Sequence, residues 1–217
     1  MHRKRDVLLW EVIGTGILVL AVLVTNPIAG PGNPNFLVPF VVGCAIALTF
    51  DRSGAHLNPL ATGITRIYFR HPLRHGGLYL LSEFLGVFLA VAVAVSLPLP
   101  YSVRSVPQVF DYSAAPLIFG QEVLASLLLM SLMSLFIILR RAKWLILFVP
   151  IFLELLNFTP LYTSQMNPAV TVGLMLVGTI SSNQAIIHII GQLTAMAIMF
   201  ALSSPLQTLR LRAASSK

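Results

Sequence analysis

Hydrophobic positions along the chain gather into six long runs, at about residues 7–25, 36–50, 78–97, 117–139, 144–158 and 185–206, parted at Pro, Gly and clusters of charge. A helix needs roughly 20 residues to cross about 30 Å of hydrocarbon, so each run reads as a candidate membrane span. Two further apolar pieces are too short to cross. One follows Asn58 and stops near Arg66; the other follows Asn167 and fades near Gly178. Six spans take up about 120 residues, which leaves no room for a soluble domain of ordinary size in a chain of 217. Residues 1–217 therefore read as one transmembrane domain. The first run follows His2-Arg3-Lys4-Arg5, as a signal peptide would, but it is long, contains Glu11 and lacks a small-x-small cleavage site. It is expected to remain as a span.

Composition narrows the class. Hydrophobic residues make up 57% and charged residues 10%, against about 25% charged in soluble domains. Disorder, which needs low hydrophobicity, is excluded. The net charge of +7 is dispersed in short clusters between apolar runs, so no nucleic-acid partner is expected. Cys44 is the single cysteine, and no intrachain disulfide can form. The basic residues set an orientation. Arg3, Lys4 and Arg5 precede the first run; Arg52, Arg66, Arg70 and Arg74 lie between the second and third; Arg140, Arg141 and Lys143 lie between the fourth and fifth; Arg210, Arg212 and Lys217 follow the sixth. Only Arg104 falls on the other side. Positive-inside bias then expects both termini in the cytoplasm, with plasma membrane and endoplasmic reticulum both open.

The short pieces carry a repeat. His56-Leu57-Asn58-Pro59-Leu60-Ala61-Thr62 returns as Gln165-Met166-Asn167-Pro168-Ala169-Val170-Thr171. Glu11 precedes Asn58 by 47 residues and Glu122 precedes Asn167 by 45; Glu83 and Gln192 each follow their Asn by 25. Three landmarks thus recur in order over residues 7–97 and 117–206. Three spans per half is an odd number, so the halves are expected to be inverted relative to each other. Asn suits an N-cap and Pro the first helical turn, which predicts half-helices beginning at Asn58 and Asn167. Meeting from opposite faces, they would bring two positive dipole ends and two amides to one point, able to orient water and repel cations.

This arrangement resembles the aquaporin (major intrinsic protein) family over nearly the whole chain. Ser53-Gly54-Ala55-His56-Leu57-Asn58-Pro59 is similar to the first re-entrant motif, with Leu60 where Ala is usual, and Asn167-Pro168-Ala169 matches the second. Glu11-Val12-Ile13-Gly14-Thr15 and Glu122-Val123-Leu124-Ala125-Ser126 resemble the glutamate motifs of spans one and four. The resemblance implies an all-α membrane protein with six transmembrane helices plus two re-entrant half-helices in an inverted 3+3 repeat. It also implies a homotetramer in the lipid bilayer that passes water or small neutral solutes. Glu11 and Glu122 would hydrogen-bond re-entrant backbone. Glu83, where the family usually has Gln, and its mate Gln192 would serve as buried polar struts, and His56 would stand at a pore mouth. Glu154 has no repeat partner and receives no role.

The chain departs from the family at the narrowest part of the pore. Counted onto this sequence, the family's arginine falls at Val170 and its small residue at Ser164. The span-five position falls near Leu155, and the span-two aromatic at Val42, or at Val38 if the preceding loop is ungapped. The charged donor and the aromatic wall are both missing. The missing arginine and altered first motif resemble small basic intrinsic proteins and superaquaporins, although the downstream cysteine of the latter is Gly178 here. A passive channel is the leading expectation, with glycerol, ammonia or peroxide as candidate solutes besides water. A non-conducting structural protein on the same fold and a proton-coupled transporter are the alternatives. No nucleophile–base or metal constellation stands out, so neither an enzyme nor a cofactor or metal is expected.

Overall fold

The computed structural model describes residues 4–25, 36–69, 73–97 and 111–215, and the regular structure among them is helical. Eight α-helices follow in order: α1 (Lys4–Thr25), α2 (Leu37–Ser53), α3 (Pro59–Phe69), α4 (Leu73–Ser96), α5 (Ala115–Ile138), α6 (Leu145–Leu156), α7 (Pro168–Leu176) and α8 (Ser182–Ser215). Single 3₁₀ turns precede α5, α6 and α7. Four segments are long and apolar enough to cross a membrane: Asp6–Thr25, His75–Ser96, Tyr112–Ile138 and Ser182–Ser203. Their surfaces agree with that medium. Leu9, Leu81, Phe88, Leu124 and Leu193 face outward, whereas Glu11, Glu83, Glu122 and Gln192 are wholly buried. A water-soluble protein does the opposite, since carboxylates are almost never fully buried without a partner. The chain has the build of a multi-pass integral membrane protein.

Two of the six expected spans form helices shorter than the roughly 20 residues that cross a bilayer, α2 slightly longer than its apolar run and α6 shorter than its own. α2 has 17 residues and α6 has 12, about 26 and 18 Å at roughly 1.5 Å per residue. The apolar pattern continues past α6 to Phe158, but the helix stops at Leu156. Asn157, Phe158 and Thr159 donate their N–H groups three residues back in tight turns, and Thr159 then caps the 3₁₀ turn that begins at Pro160. At the other extreme α8 continues to Ser215, nine residues beyond the expected end at Leu206. Residues 98–110, with Arg104, lie outside the described residues, as do Arg3, Arg70 and Lys217.

Helix packing follows close backbone approaches. α1 lies against α4, and a Cβ added at Gly86 would come 2.7 Å from the Val12 carbonyl oxygen and 2.9 Å from the Gly16 nitrogen. α5 lies against α8 at Gly191, which faces Glu122 and the Phe119 carbonyl. Small residues at such crossings bring the backbones together where apolar surface gives no net drive for association in lipid. α2 packs on α6, with Gly43 against Pro150. The short helices exchange neighbours. α3 touches α4 and then α5 and α8, while α7 touches α8 and then α1 and α4. Their N-terminal ends meet in the middle of the molecule.

Candidate functional site

α3 and α7 start in the same way. The Asn58 side-chain oxygen accepts from Leu60 N at 2.9 Å, and the Asn167 side-chain oxygen accepts from Ala169 N at 2.9 Å. Each asparagine thereby caps its own helix, with Pro59 or Pro168 at the first helical position, where no N–H is missed. The free amide of each reaches across to the other segment. Asn58 Nδ2 donates to the Met166 carbonyl at 2.8 Å, and Asn167 Nδ2 donates to the Leu57 carbonyl at 3.0 Å. Leu57 and Met166 are both left-handed, with φ of 52° and 51°. That conformation costs a non-glycine residue on the order of 1–3 kcal/mol, and here it turns each carbonyl toward the opposite amide.

Two glutamates hold these turns from behind. Glu11 accepts from His56 N at 3.1 Å and Leu57 N at 2.9 Å; Glu122 accepts from Gln165 N at 2.9 Å and Met166 N at 2.6 Å. Backbone donors in a buried, non-helical stretch must be paired, and the carboxylates do it. Thr62 donates to Glu83 at 2.7 Å and Gln192 donates to Thr171 at 3.0 Å. Both threonines lie four residues past their asparagine, so the matched offsets end in matched contacts.

A cavity of about 1060 Å³ runs past the meeting point. α6 and its flanking turns line it along their whole length, through Ala142, Leu145, Val149, Leu153 and Leu156. This spacing of three and four residues is one helix face. Asn58, Asn167, His56, Val42, Ser164 and Val170 all lie on the wall. Val38 does too, four residues and one turn from Val42, so both alignments of α2 reach the cavity. Pro59, Leu60, Pro168 and Ala169 do not; Leu60 and Ala169 are buried in the packing behind. Leu155 corrects the expectation for α6. It is 62% exposed and turned away, because counting from the family pattern missed the helical phase that puts Leu153 and Leu156 inside. Glu154 is half-buried and off the cavity wall, with an unpaired Oε1.

His56 makes more contacts than a simple mouth residue would. Its ring stacks on Tyr79 at 4.0 Å, and its Nδ1 is 3.0 Å from Thr62 Oγ1. With the Thr62 proton given to Glu83, His56 Nδ1 is the donor. Two side chains that the sequence did not single out complete the site. Tyr79 donates its hydroxyl to the Ser53 carbonyl at 2.6 Å, and His188 lies with Nδ1 2.7 Å from Glu122 Oε2, 3% exposed and on the cavity wall. Each stands 21 residues after its asparagine, an offset that could have marked them.

The sequence matches none of the known protein-family profiles, and no curated protein matches it.

Proposed function

We propose that the protein is a passive transmembrane channel for water or small uncharged solutes. The reading rests on one observation: two asparagines, each capping a short helix and bonded across to the other's preceding turn, sit on the wall of a single cavity that runs the length of α6. In this reading α2 and α6 complete six membrane-crossing segments, and α3 and α7 are re-entrant halves of an inverted repeat. Both termini face the cytoplasm. The exposed Asp51–Lys143 contact of 3.7 Å supports that parity, because it joins the ends of two connections assigned to one side. The resemblance to aquaporins supports both the solute class and a homotetramer in the bilayer.

The wall itself favours a second reading. Val42, Val149, Leu153, Leu156 and Val170 give the middle of the cavity an aliphatic lining, which opposes wetting. A protein that keeps this architecture with a dry passage would serve as a structural or interaction element. Stopped-flow light scattering on proteoliposomes, with water and glycerol gradients, separates the two. Faster shrinkage than in protein-free liposomes is the result expected of a channel. Equal rates for every neutral solute would leave the structural reading.

A further inference from the structure

Glu122 is the most heavily engaged carboxylate among the described residues. It takes Met166 N and Gln192 Nε2 on Oε1, at 2.6 and 2.9 Å, and Gln165 N and His188 Nδ1 on Oε2, at 2.9 and 2.7 Å. Two of these partners are backbone N–H groups and one is an amide; none can accept a proton. At 2.7 Å the His188–Glu122 contact needs a proton between nitrogen and oxygen, because two lone pairs would repel. One proton in the pair leaves it with a net charge of −1 and leaves His188 Nε2 as an acceptor. A second proton makes the pair neutral and makes Nε2 a donor.

His188 is 3% exposed and lies on the cavity wall, and its Nε2 takes no part in the contact with Glu122. The same cavity wall holds a buried hydroxyl without a partner among the described residues, Ser164 Oγ. One turn along α8, Gln192 bonds Thr171, the residue after Val170. His188 thus lines the same cavity as Val170, where the resemblance expects an arginine and the chain presents valine. Among the described elements packed on α8, no other charge is found facing His188. α5 brings Glu122; α7 has no titratable residue; α3 meets α8 lower down, at Gly63–Met196, and its Arg66 lies near Gly76 of α4.

We propose that His188, held by Glu122, is the selectivity residue of this cavity, and that its second proton is what makes the passage neutral and closed to cations. The proposal rests on the channel reading above. A buried charge in a low-dielectric cleft acts strongly on ions and weakly on neutral solutes, so the pair governs the ratio of the two rather than the size of the passage.

The test is flux of water and of sodium ion, whose charge does not change with pH, in proteoliposomes at about pH 5 and about pH 8. The cation-to-water ratio of the parent should rise on the order of tenfold from the lower to the higher pH, the low end of what a charged cleft does to local ion concentration. His188→Gln keeps a polar side chain but loses the proton, so its ratio should stay high at both. A parent ratio that is flat with pH, or a His188→Gln profile like that of the parent, would overturn the proposal while water flux left the channel reading intact. Absence of water flux at either pH would defeat the channel reading instead. The pair is then judged by ¹⁵N resonances of the His188 ring in the same liposomes: a change of Nε2 from acceptor to donor with pH supports it, and a ring unchanged across the range overturns it.

Discussion

A single asparagine here has two separable tasks, and chemistry can divide them. Its side-chain oxygen caps a helix and its nitrogen crosses to the other segment. Aspartate keeps the cap, since it is as good an N-cap as asparagine, and loses the crossing donor. Asn58→Asp should therefore leave α3 formed but strand the Met166 carbonyl, and Asn167→Asp should strand that of Leu57. An unpaired buried group costs about 1–3 kcal/mol, and each variant should melt earlier in detergent, with altered flux in liposomes. An unchanged melting temperature together with unchanged flux and proton leak would show that the crossed bonds carry nothing. The glutamates make a second case. Glu122→Leu removes four acceptor contacts and Glu11→Leu at least two. Folded yield should fall in both variants, and further for Glu122→Leu, as read by size-exclusion recovery.

Among the helices, the long apolar runs were legible because length and hydrophobicity alone define them. α1, α4 and α5 begin and end within a few residues of the pattern. The start of α6 was equally plain, but its end depends on how residues 157–163 turn, which hydrophobicity does not encode. Leu155 was misplaced for a related reason. A register carried over by counting ignores the phase of the helix, and the cavity stripe at 145, 149, 153 and 156 becomes visible only once the facing helices are known. His188 stands as a lone histidine in an apolar run, marked only by its offset from Asn167, and its meaning comes from a partner 66 residues away. Helix contact also gives a clean stability test. Gly86→Ala drives a Cβ into the backbone of α1, and overpacking of that kind costs typically about 1–3 kcal/mol. Gly77→Ala on the same helix meets nothing within 4 Å and should be neutral or slightly stabilising, because alanine is the better helix former. Thermal denaturation of the two variants side by side reads the difference; equal melting temperatures would mean that α1 and α4 do not approach so closely.

At the scale of the whole molecule, the proposed channel makes the cavity the feature on which function turns, and bulk added to its wall should act by face. Leu153→Trp puts an indole into the passage and should cut water flux severely, while Leu155→Trp, one face away and 62% exposed, should leave it near the parent value. Val170→Arg belongs to the same series. It narrows the wall and adds charge, so passage of glycerol should fall more than that of water, at some loss of stability. The measurement is the glycerol-to-water permeability ratio at matched protein density. Equal blockage by both tryptophans would mean that the cavity is not the route.

The exchange of neighbours by α3 and α7 has a consequence in time. The Asn58 amide finds its acceptor 108 residues later in the chain, and α3 packs not only on α4 but on α5 and α8, which belong to the second half. A ribosome adds about 5–20 residues each second, so the first half waits on the order of 5–20 seconds with a polar turn and nothing to answer it. Glu11, already present on α1, pairs the His56 and Leu57 N–H groups from the start and leaves the Asn58 amide and the Leu57 carbonyl to wait for Met166 and Asn167. The nascent chain thus carries an unfinished joint through half of its own synthesis, and any factor that shelters membrane proteins during assembly would find its client in that interval.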